Sequence, residues 1–494
     1  MKRDYLTLAV GGIVSKVVGA AREILLARYF GTGAVADAYR GSLTLVLSPV
    51  HLLSAQVIQT GFVPLHARYA EAEPEKAQQL FRSLLFVFLG VGILLGLMLF
   101  SLAGPVVELV LRGFDPERAR LAERMLRILA IGVPFYQYCS LLAALGSAQR
   151  DFAIPAWRAG MQNLGMVVMI LIAAWRGAPV WMAHGFTLAY VLLALWATWH
   201  LRRRGLLTFG LALDGALVRE TWGRLWRLLR PLVLVSVLVQ ANILIERDIA
   251  SLIGPGSVAA VEYARFLTES AHFLIIVPVG LLGLSFFANF SEEETGQRTD
   301  RLLALLLLIM LPVSAFLLLN GRDLLALLYL RGRFDATSLR MTESVLWGLS
   351  AGLWAFSASH VLERILNARL RNRDVLVGQL LGVGLNVGCN LLLFRRLGIV
   401  AIGIGAAAGP LGSFLFYLGR LGRLGGRLPR AALQLLIALP PYLLLAWGLQ
   451  RLARGVPGLT LQAVAALVYW GIAIGARRES RRLLLDRLTR GEAR

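Results

Sequence analysis

Charge is scarce in this chain. Of its 494 residues 16% are charged, against about 25% in an ordinary soluble domain. With 57% hydrophobic residues and a mean hydropathy of +0.67, that shortage excludes a disordered chain and an ordinary cytosolic enzyme. Cysteine is scarcer still: Cys139 and Cys389 both sit inside apolar runs. Two isolated thiols suggest neither a disulfide framework nor a metal site. HExxH, a CxxC pair, a nucleophile elbow and a Walker A loop are all missing, so no enzymatic site, metal or ATP hydrolysis is expected. The first apolar run contains Lys16, Arg22 and Glu23 and is followed by no small-residue cleavage site. It is therefore expected to stay as a membrane span. Lysine is nearly absent, with Lys2, Lys16 and Lys76 among 51 basic residues, and nothing in the sequence explains that bias.

Apolar runs are what the chain has in abundance. A helix needs about 20 mostly apolar residues to cross the hydrocarbon core. Fourteen stretches qualify, near residues 7–29, 38–64, 82–111, 124–147, 153–175, 181–201, 229–253, 258–289, 301–320, 341–367, 374–394, 397–419, 431–451 and 459–476. The expected fold is an all-α polytopic membrane protein of about fourteen transmembrane helices. The net charge of +22 calls for no nucleic acid, because the basic residues lie mostly between the runs. Lys2, Arg3, Arg202–Arg204, Arg369, Arg371, Arg373 and the tail from Arg477 to Arg494 fall on one side if the number of spans is even. The positive-inside rule makes that side cytoplasmic, with both termini inside.

The chain also repeats itself. Gly31, Gly33, Val35 and Ala36 recur 223 positions later as Gly254, Gly256, Val258 and Ala259. Arg150-Asp151 recurs as Arg373-Asp374, and Asn163 as Asn386, at the same offset. The offset spans six helices, so both copies have the same orientation, and a site is expected between them near mid-membrane. The expected organisation is an N-lobe at 1–204, a cytoplasmic linker at 205–228, a C-lobe at 229–428, and two further helices with a basic tail at 429–494.

Charge inside a span needs a role or a partner. Span 1 carries Lys16, Arg22 and Glu23. Span 2 begins with Asp37 and Arg40, then His51, Gln56 and Gln59. Span 7 holds Asn242 and Glu246. In span 8, Glu262, Arg265, Glu269 and His272 share one helical stripe. Span 10 has His360, Glu363, Arg364 and Asn367. Together they suggest a hydrated cavity of mixed charge, in which Lys and Arg hold phosphate; the alternative is internal ion pairing that only closes helices together.

Several motifs resemble a known family. Ser15-Lys16-Val17-Val18-Gly19-Ala20-Ala21-Arg22-Glu23, Ala27-Arg28-Tyr29-Phe30-Gly31-Thr32-Gly33, Asp37-Ala38-Tyr39 and Gly61-Phe62-Val63-Pro64 are similar to the start of the MurJ/MviN family. Asp248-Ile249-Ala250-Ser251, Gly256-Ser257-Val258-Ala259 and Tyr263-Ala264-Arg265 resemble its helix 7–8 segment. That family belongs to the multidrug/oligosaccharidyl-lipid/polysaccharide exporter superfamily, with two six-helix lobes.

The resemblance implies alternating-access flipping of an undecaprenyl-diphosphate-linked saccharide, in peptidoglycan synthesis lipid II. Lys16, Arg22, Asp37, Arg40, Glu262 and Arg265 are the implied substrate-binding residues, and helices 13–14 would line a groove for the prenyl tail. Glu246, Asn386 and Asn390 are the counterparts of a sodium site found in some members, so Na+ or H+ is the expected coupling ion and no other cofactor is implied. The sequence departs from the family at three points. Lys16 stands where the family usually has Arg, Phe266 takes the place of its helix-8 arginine, and Val50-His51 replaces a double arginine in helix 2. An exopolysaccharide or O-antigen repeat on the same lipid carrier fits as an alternative. So does a drug/cation antiporter of the same superfamily, and a scaffold recruiting cell-wall enzymes is a further reading. Expected partners are the lipid-linked saccharide, membrane lipids and cell-wall or polysaccharide synthesis enzymes.

Overall fold

The apolar runs become helices because lipid offers the backbone no hydrogen-bond partner, so each span must satisfy its own amides and carbonyls. A computed structural model describes residues 2–56, 61–207, 213–283, 292–369, 371–421, 427–452 and 455–475. Gln59 and the basic tail from Arg477 onward lie outside the described residues. In chain order the helices begin with α1 (Lys2–Phe30), α2 (Ala34–Gln56), α3 (Val63–Ala72), α4 (Pro74–Ser101), α5 (Ala103–Val110), α6 (Pro116–Ile131) and α7 (Val133–Ala148). Then come α8 (Ala153–Arg176), a 3-10 turn at Pro179–Ala183, α9 (His184–Arg203), α10 (Gly215–Ile253) and α11 (Ser257–Gly283). The last are α12 (Glu292–Tyr329), α13 (Ala336–Ala368), α14 (Asn372–Leu397), α15 (Val400–Arg420), α16 (Arg427–Leu452) and α17 (Gly455–Gly475). No strand occurs among the described residues.

Eight of the described helices are long and apolar enough to cross a membrane, or nine if α6 and α7, bent by 44°, form one span. The break lies at Gly132, two residues before Pro134, which lacks a backbone amide and favours a kink or break there. Helices α1, α2, α10 and α11, which carry the intramembrane charges of spans 1, 2, 7 and 8, are not among the eight. Polar residues at that depth lower the hydropathy where a protein interior, rather than lipid, receives them. Helix starts are chemically marked. Asp115, Asp214 and Asp335 cap α6, α10 and α13 by accepting backbone amides of the first turn. The expected linker at 205–228 is helical from Gly215 onward, where α10 begins and runs unbroken to Ile253.

Contacts divide the chain into two compact units, Met1–Ala259 with Arg331–Phe334, and Ala260–Leu330 with Asp335–Arg494. In the first, Phe62, Tyr69, Phe81, Leu84, Leu141 and Leu201 belong to one buried cluster. In the second, Leu303, Leu306, Met310, Leu362, Leu366 and Tyr417 do the same. The sequence repeat reappears as repeated interactions. Asp151, before α8, accepts His200 Nε2 at 2.9 Å and Arg204 Nη1 at 3.0 Å from the end of α9. Asp374, in the first turn of α14, accepts Arg420 Nε at 2.9 Å from the end of α15. In both units the repeated Asp ties a helix to the far end of the next one.

Close helix approach in the second unit rests on small residues. Gly348 and Gly352 lie four apart on α13 and meet Gly403 and Ala407, four apart on α15. This is the small-residue spacing that lets membrane helices pack backbone to backbone. A Cβ at Gly348 would collide with the Gly403 backbone. Gly348→Val is expected to destabilise the protein by about 1–3 kcal/mol, read as a lowered thermal midpoint in detergent. An unchanged midpoint contradicts this packing.

Candidate substrate and cation sites

The charges of α1 and α2 meet inside the first unit. Glu23 is 1% exposed and forms ion pairs with Arg22 on its own helix and with Arg40 of α2. A charge at the centre of a membrane helix costs about 2.5–3.5 kcal/mol on the insertion scale, and pairing offsets that cost. The three residues bring two guanidinium groups to one carboxylate. Arg40 is buried on the inner side of the cluster, whereas Arg22 retains 16% exposure. Arg22 reaches α8, where Nη1 donates to Asn163 Oδ1 at 2.9 Å and approaches Met166 Sδ at 3.4 Å. Asn163 is itself fixed, since its Nδ2 donates to the Ser15 carbonyl at 3.1 Å. Asn163 was legible in the sequence only as a repeated residue. Its function of aiming Arg22 depends on the α1–α8 packing. Lys16 is half-buried on α1, further toward the N-terminus.

Asp37 is placed elsewhere. It is fully buried and accepts the amides of Gly256 at 2.6 Å and Ala259 at 2.9 Å, together with Arg118 Nη1 at 3.4 Å. It thus caps the first turn of α11, where a carboxylate also complements the helix dipole. In this arrangement its oxygens serve the protein, not a ligand. Arg118 also binds Asp115 Oδ2 at 2.7 Å and the Gly113 carbonyl at 3.1 Å. The Arg118 amide and guanidinium hold the Asp115 carboxyl below the usual carboxylate range. Nearby, Arg112 Nε binds Asp248 at 3.0 Å and the Gly113 amide donates to Ser251 Oγ at 3.0 Å. The network stands on glycine: Gly256 has φ +86°, Gly31 has φ +60°, and a Cβ at Gly113 would strike the Ser251 carbonyl. Of the four repeated glycines, Gly31, Gly254 and Gly256 adopt positive φ and Gly33 does not. Asp37→Ala is expected to cost about 1–3 kcal/mol by leaving buried donors unmatched, with Asp37→Asn in between, both measured by thermal unfolding.

In the second unit, Glu262 and Arg265 form a loose pair at 4.0 Å, both about a quarter exposed. His272 Nδ1 lies 2.8 Å from Ser357 Oγ on α13. On α13, Arg364 Nε donates to His360 Nε2 at 3.1 Å, and Glu363 accepts Gln379 Nε2 at 2.9 Å from α14. These contacts give His360, Glu363 and Arg364 partners within the unit.

Of the cation set, Asn386 and Asn390 come together on α14, where Asn390 Nδ2 donates to Asn386 Oδ1 at 2.7 Å. Both are buried. Among the described residues Asn390 Oδ1 has no hydrogen-bond partner, and it lies close to Gly405 of α15. A buried, unmatched amide oxygen suits a hard cation such as sodium, which prefers oxygen ligands. Glu246 belongs to the first unit, 3% exposed, with Arg247 Nη1 at 3.5 Å.

Sequence reasoning passed over Arg158 of α8. Its guanidinium carbon lies 4.5 Å from the Tyr136 ring centre and 5.8 Å from that of Tyr190. Tyr136 also meets Tyr190, Phe186 and His51, at 4.7, 5.9 and 5.9 Å between centroids. The Tyr190 hydroxyl donates to Gln162 Oε1 at 2.7 Å. Among the described residues Arg158 has no carboxylate within ion-pair distance. A desolvated cation–π contact contributes about 2 kcal/mol, which is less than the cost of the intramembrane charge.

The comparisons with known proteins agree with this architecture. A family model described as lipid II flippase MurJ matches residues 26–449. A probable lipid II flippase MurJ of Bdellovibrio bacteriovorus is 28% identical over 96% of this chain and 94% of its own. That of Thermotoga maritima is 23% identical over 84% of each chain. Among solved structures, a lipid II flippase MurJ in an inward closed conformation superposes with a TM-score of 0.84 at 16% identity, covering 98% of this chain and 100% of the other. An inward-facing multidrug resistance MATE transporter reaches a TM-score of 0.68 at 16% identity, over 85% of this chain and 98% of its own. The fold is therefore shared with both of these transporters, and the sequence match singles out the first of the two families. The chain belongs to the lipid II flippase MurJ family, which makes it a multi-span transporter of the bacterial inner membrane and not an enzyme.

Proposed function

We propose that this protein flips lipid II, an undecaprenyl diphosphate carrying a disaccharide-pentapeptide, across the cytoplasmic membrane. The observation that carries this reading is the Arg22–Glu23–Arg40 cluster, in which two guanidinium groups gather on one buried carboxylate and the partly exposed Arg22 is also held by Asn163. A guanidinium fork matches phosphate oxygens two at a time. The family and the names of its relatives favour lipid II over an exopolysaccharide repeat, despite His51 in place of a helix-2 arginine. Lys16, Arg40, Glu262 and Arg265 complete the proposed contacts. Asp37 contributes by holding α11.

The proposed cycle is alternating access by lobes at 1–204 and 229–428, joined by 205–228, with 429–494 accommodating the prenyl tail. Both termini are cytoplasmic in this reading, and synthesis enzymes on that face supply the substrate. Asn386 and Asn390 take the coupling cation, sodium on the strength of the Asn390 oxygen unmatched among the described residues, and Glu246 of the first unit is a further candidate acid. A ligand biases the cycle only as far as it prefers one state, so Asn386→Ala/Asn390→Ala is expected to abolish any sodium dependence of transport. The test of the function is complementation of a strain depleted of its own lipid II flippase. Growth is expected with the wild-type chain. Lysis despite membrane insertion, also with the partner enzymes of its own species supplied, counts against it.

A further inference from the structure

Arg158 is an intramembrane cation of the first unit that the site described above leaves unused. The rings of Tyr136 and Tyr190 lie against its guanidinium, 4.5 and 5.8 Å from its carbon to the ring centres. The ring contacts leave the guanidinium's five N–H donors for other partners. Tyr190 uses its own proton on Gln162, so its oxygen is turned toward accepting. No carboxylate of the described residues neutralises Arg158, and its side chain is only partly buried. The position is also informative. Arg158, Gln162 and Met166 lie at i, i+4 and i+8, along one stripe of α8. Met166 contacts Arg22, so Arg158 lies on the stripe that Arg22 reaches, about 12 Å of helix rise away, nearer the start of α8. That end is cytoplasmic in the orientation proposed above.

We propose that Arg158, stacked on Tyr136 and steadied by Tyr190, is a second anion-holding residue that takes a phosphate or carboxylate oxygen of the substrate on its way from the cytoplasm to Arg22. The inference rests on the lipid II reading and deepens it. Two charged stations on one helix stripe let a polyanionic headgroup pass without leaving a cation facing bare lipid in either position. Arginine is required by the geometry, because a lysine keeps the charge but neither stacks flat on Tyr136 nor presents a planar fork.

The test measures binding of lipid II, undecaprenyl diphosphate and undecaprenol to the purified full chain in nanodiscs, with Arg158→Gln, Arg158→Lys, Tyr136→Phe and Arg22→Ala beside the wild type. Arg158→Gln is expected to weaken lipid II at least tenfold, Arg158→Lys less, and Tyr136→Phe little, since the ring remains. The binding of Arg158→Gln is also expected to depend less steeply on salt, which a purely structural arginine would not change. Loss for both diphosphate lipids assigns Arg158 to the diphosphate; loss for lipid II alone assigns it to a headgroup carboxylate. Unchanged lipid II binding by Arg158→Gln, while Arg22→Ala loses it, overturns this inference alone. A wild type that binds lipid II no better than undecaprenol overturns the lipid II reading and this inference together. Should Arg158→Gln fail to fold, Arg158→Lys with wild-type affinity and salt dependence overturns the proposal.

Discussion

Glu23→Ala is expected to destabilise the protein by about 3–5 kcal/mol, because it leaves buried cations without their shared partner. Glu23 is 1% exposed and Arg40 4%, and each lies against the other in the α1–α2 contact. The Arg40 guanidinium cannot reach bulk water without separating those helices. The loss should appear as low membrane yield and a strongly lowered thermal midpoint. The double variant Glu23→Ala/Arg40→Met removes anion and buried cation together and should recover most of the stability, since a well-packed apolar pair often replaces a buried ion pair without loss. It should not recover transport, because the cluster that holds Arg22 is gone. Equal stability of wild type and Glu23→Ala would show that the ion pairs do not form in the membrane.

Arg22→Ala separates function from stability. Arg22 is the outer member of the cluster, and its removal leaves Glu23 paired with Arg40. The thermal midpoint is therefore expected to change little. Transport is expected to fall by about two orders of magnitude or more, because two charge-assisted bonds to an anion contribute about 1.5–3 kcal/mol each. Arg22→Lys should retain part of the activity as a point charge without the fork. Asn163→Ala should lower transport less than Arg22→Ala, since it releases the aim of the guanidinium but not its charge. Initial transport rates in reconstituted vesicles order the three variants. An Arg22→Ala rate equal to wild type would remove Arg22 from the site.

Much of this was legible in the chain itself, for definite physical reasons. Apolar run length announces a membrane helix because bilayer thickness is fixed. The charged residues inside runs 1, 2, 7 and 8 were visible, and Arg22 beside Glu23 was visible as charge needing partners. The repeated Arg-Asp was visible too, and Asp151 and Asp374 prove to tie corresponding helices together. What sequence could not supply was juxtaposition across long separations. Asp37 reads as an intramembrane acid until Gly256 and Ala259, more than 200 positions away, are seen to donate to it. The third partner of the Arg22 cluster, Asn163, is hidden in the same way. Arg158 was missed for another reason: one arginine near the start of an apolar helix looks like a residue that snorkels to water. Only the ring faces of Tyr136 and Tyr190, from two other helices, show that it is held inside.

The most direct measurement of the central claim is the amount of lipid II accessible on the outer leaflet of cells depleted of their own flippase and expressing this protein. An outer-leaflet lipid II-cleaving enzyme, added to such cells, reads it as released product. Cells with the wild-type chain are expected to yield product at the level of undepleted cells, and cells with an equal amount of Arg22→Ala at the level of depleted ones. Wild-type protein present in the membrane with no more product than depleted cells, or Arg22→Ala with as much as wild type, would contradict the account.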